Sequence, residues 1–178
     1  NSLESRGIDL WNMKQASPRW NVFRIGSAAH NTLSIDGALH NALGMATLRM
    51  NGDDEAQLDL SPIFLPGQLK QATRTARIEG QRISLSDAIT GARPGSEIRW
   101  AMTTEAAITL NGNEAILKQA GKTLHVRFAG TPVTLEVVDI SKPRADFDLP
   151  NPNARQLVAH ALAGADGSWN LSVRFSRE

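Results

Sequence analysis

Apolar and polar residues alternate along much of the chain, which is the pattern of strands that bury one face. In Trp169–Phe175 every odd-numbered residue is apolar and every even-numbered residue is polar. The same alternation recurs in several other segments, including Lys122–Phe128 and Glu97–Met102. We therefore predict that the following side chains lie inside the protein: Leu33, Ile35, Ile98, Trp100, Leu124, Val126, Phe128, Leu171, Val173 and Phe175.

Short segments of this kind, separated by turn-forming residues, predict an all-β fold. Asn111-Gly112 predicts a hairpin turn, because both residues accept a positive φ, and Ala120-Gly121 predicts the next reversal. Leu157–Leu162 is apolar at both parities, and we interpret it as a central strand that leads by a hairpin into the last strand. The predicted strands are Phe23–Ile25, Leu33–Ile35, Met45–Met50, Gln57–Leu60, Arg82–Asp87, Glu97–Met102, Ala107–Leu110, Glu114–Gln119, Lys122–Phe128, Val133–Val137, Leu157–Leu162 and Trp169–Phe175.

The whole pattern favours an antiparallel β-sandwich of many short strands, preceded by an N-terminal linking arm. Residues 1–18 do not alternate and end at Pro18, so we assign them to the arm and residues 19–178 to the sandwich. Residues 143–154 contain three prolines and are predicted as a long loop. The chain does not begin with Met, and we expect it to be a piece of a longer protein in which the arm packs on an upstream domain.

Composition narrows the possible functions. A net charge of +1 argues against a nucleic-acid-binding domain, which would carry a basic stripe. The apolar runs are too short for a transmembrane helix. The chain has no Cys, which excludes disulfides and thiolate ligands, and no Tyr, which excludes a tyrosine acid or base supplied by this chain.

The segment from His30 to Gly37 carries the most candidate chemistry. Its sequence is His-Asn-Thr-Leu-Ser-Ile-Asp-Gly. On a strand, His30, Thr32, Ser34 and Asp36 would share one face, with an imidazole, two hydroxyls and a carboxylate in a row. Chemistry alone leaves two interpretations of His30 open, a functional imidazole or a structural one. The structural role is the more common for a single His.

This segment resembles the signature of heparinase II/III-type polysaccharide lyases. The resemblance rests on Phe23–Gly26, Ala29–Leu33 and Ile35–Gly37, which match the start of that family's C-terminal β-sandwich. Arg82–Asp87 followed by Trp100, and the hairpin segment Asn111–Phe128, are similar to later strands of the family.

The resemblance implies a specific function. Such lyases join an N-terminal α/α toroid to the sandwich and cleave acidic, uronic-acid polysaccharides by β-elimination, in the periplasm or outside the cell. A metal, usually zinc, lies near the cleft, and His30 corresponds to one ligand whose partners would lie outside this chain. The family's catalytic residues have no counterpart here, and the sequence assigns no substrate-binding residue. The chain is therefore expected to be inactive alone.

Two other functions remain open, a carbohydrate-binding module and a purely structural sandwich. Trp11, Trp20, Trp100 and Trp169 are available for stacking on sugars, although the pattern favours a core position for the last two. An exposed row of aromatic residues would favour the binding module. A polar patch at His30 beside a bare apolar surface would favour the lyase part.

Overall fold

Two antiparallel sheets form the protein, which confirms the predicted β-sandwich. The computed structural model describes residues 3–177, so the first two residues of the predicted arm and Glu178 lie outside that range. The strands are β1 (Leu33–Ile35), β2 (Thr47–Met50), β3 (Glu55–Asp59), β4 (Gln71–Glu79), β5 (Arg82–Thr90), β6 (Glu97–Thr104), β7 (Ala107–Asn111), β8 (Glu114–Gln119), β9 (Lys122–Gly130), β10 (Thr134–Asp139), β11 (Arg155–Leu162) and β12 (Trp169–Arg177). Short 3-10 turns occur at Glu4–Arg6, Pro18–Asn21, Ser27–Ala29 and Ser61–Ile63.

The two sheets differ in size. The small sheet has the order β1-β6-β11-β10, and the large sheet has the order β2-β3-β4-β5-β12-β9-β8-β7. The large sheet therefore has twice as many strands as the small one. None of the described residues forms a helix long and apolar enough to cross a membrane.

The core lies between the sheets and confirms the predicted strand faces. Trp100 of the small sheet packs edge-on against Phe128 of the large sheet, with ring centroids 5.4 Å apart. Eight of the ten residues predicted inside are fully buried, and Leu124 and Phe175 are partly buried against the same cluster. Such burial contributes roughly 1.5–3 kcal/mol for each large side chain.

A third layer covers the outer face of the small sheet. Gln156 and Val158 point away from the core and are nevertheless completely buried. The Gln156 amide donates a hydrogen bond to the carbonyl of Ala28 (2.8 Å), and the Phe23 N–H donates to the Asp148 carboxylate (2.9 Å). The segment before β1 and the proline-containing loop therefore form this cover together.

Two predictions about elements are wrong, and one strand was not predicted. Phe23–Ile25 is a turn, because the Ile25 and Gly26 N–H groups bond back to the carbonyl of Val22 instead of to a strand. Strand β4 was not predicted, since Arg74 interrupts the apolar positions of its inner face. Strand β11 is indeed a central strand, but its connection to β12 crosses from the small sheet to the large one and is not a hairpin.

Candidate functional site

His30 does not lie on a strand, and the predicted strand Leu33–Ile35 is confirmed as β1. Strand β1 begins only at Leu33, and His30 ends the 3-10 turn Ser27–Ala29, where its N–H bonds to the carbonyl of Ser27 (3.1 Å). The turn breaks the period-two geometry, so His30, Thr32, Ser34 and Asp36 do not form one polar face. His30 is exposed, whereas Ser34 is buried.

The residues that follow His30 are anchored to strand β6. The Asn31 side-chain oxygen accepts a hydrogen bond from the Thr103 N–H (2.7 Å). The Thr32 carbonyl accepts one from the Ala101 N–H (3.1 Å), and β1 then continues the pairing from Leu33 opposite Trp100. The backbone that carries His30 is thus held in place by the small sheet.

A buried ion pair ties this segment to the large sheet. Arg74 of β4 binds Asp87 of β5 through two parallel hydrogen bonds of 2.7 and 2.9 Å, and its third contact is the Asn31 carbonyl (3.2 Å). Burial raises the pKa of Asp87, and the hydrogen bonds and charge of Arg74 oppose that rise. The indole N–H of Trp100 lies beside the same carboxylate without a hydrogen-bond partner among residues 3–177.

Asp36 has a structural role at the end of β1. It adopts a φ of 50°, and its carboxylate accepts hydrogen bonds from the Glu97 N–H (2.9 Å) and the Ser96 hydroxyl (3.0 Å). These contacts close the turn to β6, so both carboxylate oxygens are already engaged.

His40 lies near His30 and is partly buried. Its Nε2 is 2.7 Å from the Leu33 carbonyl, so Nε2 carries the proton and donates. The ring packs against Phe64 at 5.5 Å. Burial lowers the pKa of His40, the bond to Leu33 opposes this, and repulsion from His30 lowers the pKa further. Burial therefore favours the neutral form of the His40 imidazole.

The His30 ring is free to bind an external group. The ring is exposed and has no hydrogen-bond or ion-pair partner within residues 3–177. Both ring nitrogens are therefore available to a group from outside this chain. No three His, Cys, Asp or Glu residues in that part of the chain are grouped closely enough to hold a metal. A closed zinc site takes three or four protein ligands, so the described residues around His30 do not form one by themselves.

The other histidines have carboxylate partners that the sequence did not reveal. His125 contacts Glu114 (2.8 Å), and this hydrogen bond holds the pKa of Glu114 below its usual range. His160 lies in an apolar run of the sequence, and its two ring nitrogens face Glu97 (2.8 Å) and Glu136 (3.3 Å). Both glutamates come from neighbouring strands and are distant in sequence.

The tryptophans do not form an exposed row. Trp100 and Trp169 are buried in the core, as the pattern favoured, and Trp20 is partly buried. Trp11 is the one fully exposed aromatic residue within residues 3–177, at 88% exposure. Four exposed apolar residues lie instead in or just before β2, the edge strand of the large sheet, and are called the apolar surface below: Leu43, Met45, Leu48 and Met50.

Comparisons with known proteins identify relatives of this chain. The family described as "Heparinase II/III-like, C-terminal" matches residues 7–170. No curated protein sequence matches this chain. Compared with this chain, a solved structure of heparinase III has a TM-score of 0.65 and 13% sequence identity, and the match covers 87% of this chain and 24% of that chain. The heparan sulfate lyase HepC from Pedobacter heparinus has a TM-score of 0.65 and 11% identity, with 92% and 26% covered. This chain thus spans about a quarter of the length of these proteins.

Proposed function

Since this chain belongs to the heparinase II/III-like family as its C-terminal domain, we propose that it is the sandwich part of a polysaccharide lyase. The complete protein would cleave uronic-acid polysaccharides by β-elimination, outside the cytoplasm. In that reaction a base removes the C5 proton, the C4–oxygen bond breaks, and a C4–C5 double bond forms. The leaving oxygen takes up a proton, and a positive group offsets the charge of the C5 carboxylate.

The observation that carries this proposal is the contrast between the His30 backbone and its ring. The backbone is fixed by β6 and by the Arg74–Asp87 pair, whereas the ring has no partner within residues 3–177. A side chain held in this way suits a ligand or a contact supplied from outside the chain. We propose that His30 is one zinc ligand, completed by upstream residues, and that zinc supplies a fixed positive charge at this edge of the sandwich.

We propose that an upstream domain of the same polypeptide covers the apolar surface of Leu43, Met45, Leu48 and Met50. The two heparinase structures extend over about four times the length of this chain, so much of each protein lies outside the region compared. Strand β2 is also the open edge of the large sheet, and an exposed apolar edge promotes aggregation unless it is covered. The predicted arm would enter from the same upstream domain.

The alternative, a carbohydrate-binding module that stacks sugars on aromatic residues, has less support. Trp11 alone is fully exposed among the aromatic residues of the described chain, so a stacking row is not formed there. The apolar surface beside β2 has no aromatic residue and fits a protein partner better than a sugar ring.

The test compares this chain with the longer polypeptide that carries it. Formation of unsaturated uronate is followed by absorbance on heparan sulfate, chondroitin sulfate, alginate and hyaluronan. We expect turnover by the longer polypeptide and none by the 178-residue chain. His30→Ala should lower both the zinc content and the turnover of the longer polypeptide, and His125→Ala, on the other sheet, should preserve both.

Two outcomes would contradict the proposal. Turnover by the 178-residue chain that is lost in His30→Ala would place the catalytic machinery in this chain. Full zinc content and full turnover in the His30→Ala form of the longer polypeptide would exclude His30 as a ligand.

A further inference from the structure

Three arginines of the outer face of the large sheet line a groove at one end of that face, and a fourth lies beside the groove at the end of β12. The three are Arg82 of β5, Arg127 of β9 and Arg174 of β12, and the fourth is Arg177. The chain as a whole carries a net charge of only +1, so this is a local concentration of positive charge and not a general property of the surface.

The strand register brings three of these arginines together on three adjacent strands. Arg174 lies directly opposite Arg127 in the β12–β9 pair. On its other side Arg174 lies opposite Ser84, while Arg82 lies opposite Ser176, so Arg82 and Arg174 are diagonal neighbours. Diagonal positions on a sheet are roughly 7–8 Å apart, within the span of two arginine side chains that share one ligand.

The carboxylates near the groove leave most of this charge uncompensated. Arg127 uses its Nε to bind Glu114 (3.1 Å), which leaves its two terminal nitrogens free. Glu79 stands directly opposite Arg82 in the β4–β5 pair, but its carboxylate makes its ion-pair contact with Arg77, at 3.9 Å, and not with Arg82. Within residues 3–177, Arg82 and Arg174 have no hydrogen-bond or ion-pair partner.

This arrangement is unfavourable for folding by itself. Like charges directly opposite each other on neighbouring strands destabilise a sheet, and Arg174 and Arg127 stand in that relation. An anion bound between them would remove the repulsion. Guanidinium groups bind carboxylate and sulfate oxygens through paired hydrogen bonds. The hydroxyls of Ser84 and Ser176, which lie opposite Arg174 and Arg82, could hydrogen-bond to sugar hydroxyls.

We propose that this groove binds an acidic polysaccharide, with Arg82, Arg127 and Arg174 as the groups that contact its carboxylates or sulfates. The inference rests on the proposed function for the class of ligand and on the strand register for the site. The groove is on the outer face of the large sheet, whereas the His30 segment is anchored to the small sheet. A long polymer held here would stay close to the protein while other parts of it are processed.

Binding of a heparan sulfate octasaccharide to the 178-residue chain tests the proposal, by calorimetry at low and at physiological ionic strength. We expect binding that weakens with salt, because the contacts are exposed ion pairs. Arg82→Ser/Arg174→Ser should lose roughly tenfold or more in affinity. The control Arg49→Ser/Lys142→Ser removes the same charge elsewhere on the surface and should change the affinity by less than about twofold.

Several results would overturn the proposal: no binding, equal affinity of the double variant and the parent chain, an equal loss in the control, or equal affinity for a DNA duplex of matched charge. Far-UV circular dichroism and unfolding midpoints establish that each variant is folded. Turnover by the longer polypeptide without octasaccharide binding at the groove would reject the groove alone. Binding at the groove without turnover by the longer polypeptide would reject only the proposed lyase function.

Discussion

Removal of Asp87 should strongly destabilise the protein, because it leaves the Arg74 guanidinium buried without its partner. The Asp87 side chain is completely buried and the Arg74 side chain is 14% exposed. Breaking a buried pair by removing one partner costs about 3–5 kcal/mol. We expect Asp87→Ala to lose that amount, which for a domain of this size lowers Tm by roughly 10 °C.

Urea unfolding followed by tryptophan fluorescence measures the effect, since Trp100 lies beside this pair. Arg74→Met/Asp87→Val, which removes both charges, should be more stable than either single variant, because no uncompensated charge remains. Glu55→Gln is the matched control. Glu55 binds Arg77, which lies on the opposite face of the same strand as Arg74 and is exposed, so its loss should leave the unfolding midpoint nearly unchanged.

The same variants test the link to the His30 segment. Because Arg74 also binds the Asn31 carbonyl, hydrogen exchange of the amides around Asn31 should accelerate in Asp87→Ala before global unfolding. A loss below about 1 kcal/mol, or a double variant as unstable as the single ones, would refute the conclusion that this pair is a buried, coupled unit.

Three further predictions concern the core, pH dependence and a close backbone approach. Val126 is completely buried, so Val126→Asp should abolish cooperative unfolding in a thermal melt, and a soluble, folded variant would show that the strand face is wrong. Burial lowers the pKa of His40, so the unfolded state binds more protons below pH 6.5 and stability should fall as the pH drops through that value. NMR titration should give His40 a pKa below 6.5, His40→Gln should weaken the pH dependence, and a normal or raised value would contradict the burial argument. Gly167 has a φ of 74°, and a Cβ there would lie 2.2 Å from the Ala92 carbonyl oxygen, whereas Gly95 has a φ of 77° and open space around it. Gly167→Ala should therefore destabilise the protein clearly more than Gly95→Ala, which carries only the backbone penalty of about 1–2 kcal/mol. Denaturant unfolding measures both variants, and equal losses of unfolding free energy would contradict the predicted clash.

Much of the fold follows from local sequence alone. The alternation in Trp169–Phe175 and Lys122–Phe128 determined which side chains face the core, because a strand exposes successive residues on opposite faces. The Asn111-Gly112 and Ala120-Gly121 turns determined which neighbouring strands pair, since both turns require a positive φ at Gly. The family resemblance at Ala29–Leu33 and the absence of Tyr were also readable from the sequence.

The site depends on contacts between residues that are distant in the chain. Arg74 is a charged residue on the inner face of β4, and only the pairing of β4 with β5 brings it to Asp87 and to Asn31. The polar face considered for His30, Thr32, Ser34 and Asp36 requires one continuous strand, and periodicity does not reveal that a 3-10 turn precedes β1. The carboxylates on either side of His160 come from β6 and β10, the strands that flank β11. Alternation is a property of a single strand, and it therefore determined which face of each strand is buried. The order and register of the strands result from long-range packing, so only the tertiary structure decided which charged groups meet.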